Sequence, residues 1–186
     1  MATINAVGVG LSGASGTGNF SGTTSPTFVT PTLGSASATS ISFSSTSGII
    51  GTATNNNAAA GSVGEFQDST LSGAINYTST TTATNIQSLS LTAGDWDVHG
   101  YLLFSNNGST TTLVTSALSL TSVTQTAISS TAASNTTASV TISNFSAYPY
   151  GRVSLSGTTT VYLVSTATFS AGTPQAFGGI TARRIR

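Results

Sequence analysis

Nine side chains of this 186-residue chain are ionisable acids, bases or imidazole: four Asp or Glu, four Arg and one His. All four acids and the imidazole fall between Glu65 and His99, and three of the Arg close the chain as Arg183-Arg184-Ile185-Arg186. The densest group is Asp95-x-Asp97-x-His99. On an extended strand these three share one face, each about 6.5–7 Å from the next. That spacing suits ligands of one divalent ion. A structural site takes about four protein ligands, however, and a catalytic one also needs a second shell; nothing nearby in sequence supplies either. Two carboxylates are also the minimum for glycoside hydrolysis, but neighbours on one flat strand make a poor cleft. With Ser throughout the chain, a Ser-His-Asp inventory says nothing. No Gly-x-Ser-x-Gly elbow, phosphate loop or dinucleotide fingerprint occurs. No catalytic residue, metal ligand or cofactor is assigned. The role that fits Asp95, Asp97, His99, Arg183 and Arg184 is ion pairing, with the Arg-rich final strand meeting Asp95, Asp97 or Glu65 across a subunit seam.

Composition narrows the classes further. There is no Lys, which removes amine nucleophiles and Schiff bases, and no Cys, which removes thiolate catalysis, disulfides and zinc fingers. Formal net charge is zero, so nothing draws in a polyanion and nucleic acid is not a partner. No run approaches the roughly 18 apolar residues of a membrane-spanning helix, and the N-terminus lacks the basic and apolar regions of a secretory signal. The chain reads as soluble, unprocessed and not inserted in a membrane. Five Asn-x-Ser/Thr sequons occur, at Asn19, Asn76, Asn107, Asn135 and Asn144. That is near the chance number where Ser and Thr make up about 37% of residues, so they carry no information.

The elements that must position these groups are strands. Thr, Val, Ile, Tyr and Phe favour extended chain, while Glu, Lys, Met and Gln are scarce and no window has a helical apolar stripe. Charged residues amount to only 4%, against the high charge of a disordered chain. Asp95 to Phe104 is the clearest strand: Trp96, Val98, Gly100, Leu102 and Phe104 take one face, and Asp95, Asp97, His99, Tyr101 and Leu103 the other. Further strands are expected at Ile86–Leu91, Leu113–Val123, Ser139–Phe145, Arg152–Leu155, Val161–Phe169 and Ala176–Arg184. Turns are expected at Thr92-Ala93-Gly94 and Asn106-Asn107-Gly108, and a bulge or bend between Leu120 and Val123. About eight short strands so punctuated predict an all-β, jelly-roll-like antiparallel sandwich over residues 61–186.

Residues 1–60 have a different texture. Gly, Ser and Thr dominate, Pro26 and Pro31 impose extended chain, and no charge appears before Glu65. Such a segment cannot offset its ordering entropy alone. Yet Phe20, Phe28, Val29, Leu33, Ile41 and Phe43 are too apolar for an idle linker, which predicts an extended arm that orders against a partner. A plain flexible tail is the competing reading. Residues 55–64, NNNAAAGSVG, read as the hinge.

The arm phrase from Ser25 to Gly34, SPTFVTPTLG, resembles a pattern that recurs in tailed-bacteriophage fibre and virion structural proteins. The body segments LTAGDWDVHGYLLFS (Leu91–Ser105) and TTVYLVSTATFSAGTPQAFGGITARRIR (Thr159–Arg186) are similar to their C-terminal knob domains. The Gly-Asp-Trp-Asp-Val opening is also similar, more weakly, to tumour-necrosis-factor-like trimeric jelly rolls. Missing are the long coiled coil and the enzymatic β-helix that many tail fibres and tailspikes carry. The resemblance implies a homotrimeric, non-enzymatic protein on the virion surface, made in the host bacterial cytoplasm. In that reading it decorates the capsid as a head fibre or cement protein, its arm on the major capsid protein and its knob outward. A receptor-binding tail-fibre knob is the alternative, anchored on tail proteins, in which Trp96, Tyr101, Tyr148 or Tyr150 stacks on a host surface glycan, with Tyr148 and Tyr150 of the Ala147–Tyr150 loop as the candidate surface. An enzyme acting on capsule polysaccharide through Asp95 and Asp97 is the third reading.

Overall fold

A computed structural model describes residues 53–70, 73–126, 128, 133–136 and 144–186. The arm residues Phe20, Phe28, Val29, Leu33, Ile41 and Phe43 lie outside the described residues, as do 139–143 of the strand expected at Ser139–Phe145. Ala53–Arg186 is one compact unit.

Ten strands are described: β1 (Phe66–Thr70), β2 (Ile75–Asn76), β3 (Thr84–Leu91), β4 (Gly94–Ser105), β5 (Thr111–Ser119), β6 (Ala133–Thr136), β7 (Asn144–Ala147), β8 (Tyr150–Leu155), β9 (Thr159–Phe169) and β10 (Gln175–Arg184). They form two antiparallel sheets. One runs β1-β10-β4-β7, with β8 also on β4 and β2 also on β10; the other runs β3-β9-β5-β6. The pairings nest: β1 with β10, β3 with β9, β4 with β8, β5 with β6. Folding one long nested hairpin over on itself sends its successive rungs into alternate sheets, which is the wrap of a jelly roll. The all-β sandwich read from the sequence is the fold.

Local sequence explains the punctuation. At the β4–β5 link, Asn107 and Gly108 have φ of 43° and 77°, and Ser109 N–H donates to Asn106 O at 2.7 Å. Those left-handed residues make a tight turn where the chain crosses from one sheet to the other. Between the sheets lie Trp96, Val98, Leu102 and Phe104 of β4, Ile180 and Ala182 of β10, and Leu89, Leu91, Leu118, Val161 and Leu163 from the facing sheet. Burying each large aliphatic group contributes about 1.5–3 kcal/mol. Gly100 sits on this inner face because the sheets approach closely there. A Cβ at that position would lie 3.1 Å from Leu163 Cδ1 and from Pro149 Cγ, and 3.2 Å from Leu118 Cδ2.

Some expectations are corrected. β5 stops at Ser119 rather than continuing to Val123, and of the bulge or bend expected between Leu120 and Val123 the chain makes the bend, with Val123 at φ 45°. The register irregularities sit instead at Asn85/Gln87 and Thr111/Leu113. The reason is a tether. Asn85 accepts from Val123 N–H at 2.7 Å and donates to Ser122 Oγ at 2.8 Å, which folds the chain back after β5. Strands β1, β2 and β6 were not anticipated; β1 (FQDST) and β2 (IN) are short and sit outside the main apolar runs.

Candidate assembly face

The two sheets differ in what covers their outer faces. Over β5 and β9, residues 120–126 and Ile128 lie across the sheet. Gln125 Oε1 accepts from Thr115 at 2.9 Å and from Thr166 at 3.0 Å, and Ile128 N–H donates to Leu118 O at 3.0 Å. Ala117 and Val164, which are register partners directed away from the core, are buried beneath it. The flanking positions of that face include the hydroxyls of Ser88, Ser90 and Thr160, with Leu113 and Tyr162 half-buried among them.

The outer face of the larger sheet has the opposite character. Register places its side chains in rows across β8, β4, β10 and β1. One row is Arg152, Asp97, Arg183 and Phe66; the next is Tyr150, His99, Thr181 and Asp68. Leu103 and Phe177 share a further row, with Ser146 of β7. Tyr148 stands in the β7–β8 corner at 67% exposure, with Tyr150 at 55%, Leu103 at 45% and Phe66 at 38%. The Tyr150 ring stacks on His99 at 6.1 Å between centroids, and Arg183 lies 5.8 Å from the Phe66 ring centroid. Beside β1, the Asn57 carboxamide pairs with the strand edge, accepting from Phe66 N–H at 2.9 Å and donating to Phe66 O at 2.6 Å. This leaves an open groove of about 480 Å³ lined by Asn55, Asn56, Asn57, Phe66, Asp68 and Arg183 among others.

The remaining charges are engaged inside the fold. Arg184 points inward from β10. Its guanidinium donates to Glu65 Oε2 at 2.9 Å, Ala93 O at 2.7 Å and Thr92 Oγ1 at 2.7 Å, and lies 4.3 Å from the Trp96 ring centroid. Gly94 makes this possible: its φ is +143°, and a Cβ there would fall 1.8 Å from Arg184 Nη1. Glu65 also accepts from Gly61 N–H at 2.7 Å and Gln67 Nε2 at 2.9 Å. Those bonds, with that from Arg184, hold its carboxyl below the usual range.

Asp95 is buried although alternation puts it on the outer face. Arg152 clasps it with two hydrogen bonds, the one from Nε at 2.8 Å, and Arg186 Nε reaches its Oδ2 at 3.2 Å. The Arg152 bonds, ahead of the two guanidinium charges, lower its pKa below the usual range. The chain end runs alongside, with Ile185 N–H donating to Asp95 O at 2.9 Å.

The residues singled out from sequence therefore separate. Asp95 and Arg184 lie in two different ion-pair networks within one chain, Arg184 with buried Glu65 and Asp95 with the exposed Arg152 and Arg186, whereas Asp97, His99 and Arg183 are together on the outer face. Asp95, Asp97 and His99 do not converge on a common point, and among the described residues no group of three His, Asp or Glu gathers as metal ligands. Sequence reasoning did not select Arg152, Phe66, Asp68 or Leu103. Leu103 shares the Asp97–His99 alternation, so period two gave a signal for it; the other three join only through cross-strand register. The two guanidiniums hold Asp95 as the carboxylate.

No protein-family model matches the sequence, and no curated protein is significantly similar to it. Among solved structures, the chain aligns with the infectious bursal disease virus VP2 subviral particle at TM-score 0.45 and 13% identity, over 65% of this chain and 33% of that one. It aligns with the Gx strain of the same virus at TM-score 0.44 and 14% identity, covering 74% and 37%. With T=1 particles derived from infectious bursal virus the TM-score is 0.45 and the identity 14%, covering 74% and 36%. The chain thus spans about a third of the length of each of these β-rich neighbours.

Proposed function

We propose that this chain is a non-enzymatic structural protein of a virus particle, built as a homotrimer that decorates a tailed-bacteriophage capsid. Residues 1–60 act as the arm that attaches to the major capsid protein, and the sandwich projects outward. The observation that carries an assembly role is the asymmetry of the sandwich. Among the described residues, one sheet is covered by residues 120–126 and Ile128, while the other exposes Tyr148, Tyr150, Leu103 and Phe66. A bare face of that kind marks a surface for association. The virion address is supported by the resemblance of Ser25–Gly34, Leu91–Ser105 and Thr159–Arg186 to phage structural proteins. Engagement of Asp95 by Arg152 and Arg186 speaks against the polysaccharide-cleaving reading.

A second reading, the receptor-binding knob of a tail fibre, is favoured by the exposure of Tyr148 and Tyr150 in one corner, where a host glycan could stack. Cryo-electron microscopy of particles carrying the chain separates the two. Density on the shell, with residues 1–60 against capsid subunits, is expected. Density at the tail tip would replace decoration with receptor binding, and absence of the chain from particles would refute both.

A further inference from the structure

We infer that neighbouring copies join head to tail on the bare sheet face, Tyr148 of one copy entering the groove formed by Asn55–Asn57, Phe66, Asp68 and Arg183 of the next. The inference rests on the homo-oligomeric reading above and names the contact that would build it.

Three observations lead to it. First, the knob and the groove lie at opposite edges of one face: Tyr148 leads into β8 on one side, and the groove borders β1 on the other, with β4 and β10 between. A contact between two different patches is heterologous, and such contacts close into rings, three copies included. An isologous pairing would instead set each patch against itself.

Second, the chemistry is complementary. The groove presents a phenyl ring with a guanidinium beside it, three carboxamides and a carboxylate. A phenol needs those partners: an aromatic or cationic group against its ring, and an acceptor or amide at its hydroxyl. Among the described residues, neither Asp68 nor Arg183 forms an ion pair, so both remain available to a neighbour. Tyr148 is the most exposed aromatic residue described, and Pro149 after it restricts its backbone to extended conformations, so little freedom is lost on docking. Pro149 is itself fixed: it is buried, and its carbonyl accepts from Gly100 N–H at 2.7 Å.

Third, the face suits a copy of itself better than a partner of one charge. Asp97 shares its row with Arg152 and Arg183, Asp68 lies in the next row beside them, and the whole chain has formal net charge zero. Copies therefore meet without long-range repulsion, and mixed signs set register.

The test is sedimentation velocity on the purified full chain from about 1 to 100 µM, with Tyr148→Ala, Phe66→Ala and Ser90→Asp, the last an exposed position on the other sheet. Circular dichroism and thermal melts report whether each variant keeps the fold. Wild type is expected at three times 18.4 kDa. Tyr148→Ala and Phe66→Ala should each weaken association tenfold or more, as aromatic anchors do, while Ser90→Asp changes it less than twofold. Mixing the two defective variants should restore some complex, because an intact knob then meets an intact groove. Association unchanged by Tyr148→Ala in a folded protein would overturn the knob-in-groove contact and leave the oligomer standing. Wild type monomeric at 100 µM would overturn both. If the variants melt early, mixing decides: restoration supports the contact, and its absence overturns it.

Discussion

Leu163→Ala tests the close approach of the sheets. Leu163 is fully buried on β9, and its Cδ1 would be 3.1 Å from a Cβ added at Gly100 of β4. Deleting its isobutyl group loses transfer energy and leaves a void. Leu→Ala changes of this kind cost about 2.7–5 kcal/mol, more where the surroundings cannot collapse. Here the backbone of Gly100 and Gly178 faces the side chain and cannot rotate into the gap, which leaves only Leu118 and Ile86 at its margin to close it. The cost should therefore lie near the upper end, about 4 kcal/mol, a large part of the 5–15 kcal/mol typical of a folded domain. Gly100→Ala alone crowds Leu163, Pro149 and Leu118, each by a few tenths of an ångström. Overpacking costs about 1–3 kcal/mol, offset by about 0.4–1 kcal/mol from reduced freedom of the unfolded chain. In the Leu163→Ala background the new methyl enters the void. The double variant should then be no less stable than Leu163→Ala alone, giving a coupling equal to the net cost of Gly100→Ala, about 1 kcal/mol at the middle of that range. The assay is urea denaturation of wild type, both single variants and the double variant. Additivity within 0.5 kcal/mol, the tolerance for independent sites, would refute this packing.

Other perturbations probe the buried polar groups. Gly94→Ala combines a strained φ with a methyl in the place of the Arg184 guanidinium, and should cost at least ~2 kcal/mol; a neutral effect in a denaturant melt would contradict the Arg184 placement. Glu65 and Asp95 have carboxyls held below their ordinary values of 4.5 and 3.8. A depressed folded pKa contributes stability that is present above the unfolded value and lost as pH falls through the folded one. The urea midpoint should accordingly drop as pH falls below about 4.5, and Glu65→Gln should flatten part of that slope; an unchanged slope would remove Glu65 as the cause. Ser116 Oγ is buried and, among the described residues, has no hydrogen-bond partner. Ser116→Ala should be neutral or stabilise by up to ~1 kcal/mol, and a loss larger than that would mean the hydroxyl is satisfied in solution.

How much was legible varied with the kind of order. β4 could be read nearly complete, because alternation from Trp96 to Phe104 is a local property of the strand. The end of β5 could not. Leu120 and Val123 look like strand residues, and only the long-range tether to Asn85 turns them out of the sheet. Asp95 shows a second limit: period two put it on the outer face correctly, but its burial depends on Arg152, 57 positions away, and on the chain end. The Arg184–Glu65 pair was among the sequence alternatives, yet its inward direction, its seat on Trp96 and its need for Gly94 come from register. The groove was invisible beforehand, because Asn55–Asn57 read only as a hinge until Asn57 is seen paired with the edge of β1.

The central claim is that copies of this chain meet through the bare face of the larger sheet. Hydroxyl-radical footprinting of the full chain, below and above its assembly concentration, tests it residue by residue. Tyr148 and Phe66 should become several-fold less reactive on assembly, while Tyr162, half-buried on the other sheet, keeps its reactivity. Equal reactivity of Tyr148 and Phe66 in both states, or protection at Tyr162 instead, would contradict the account.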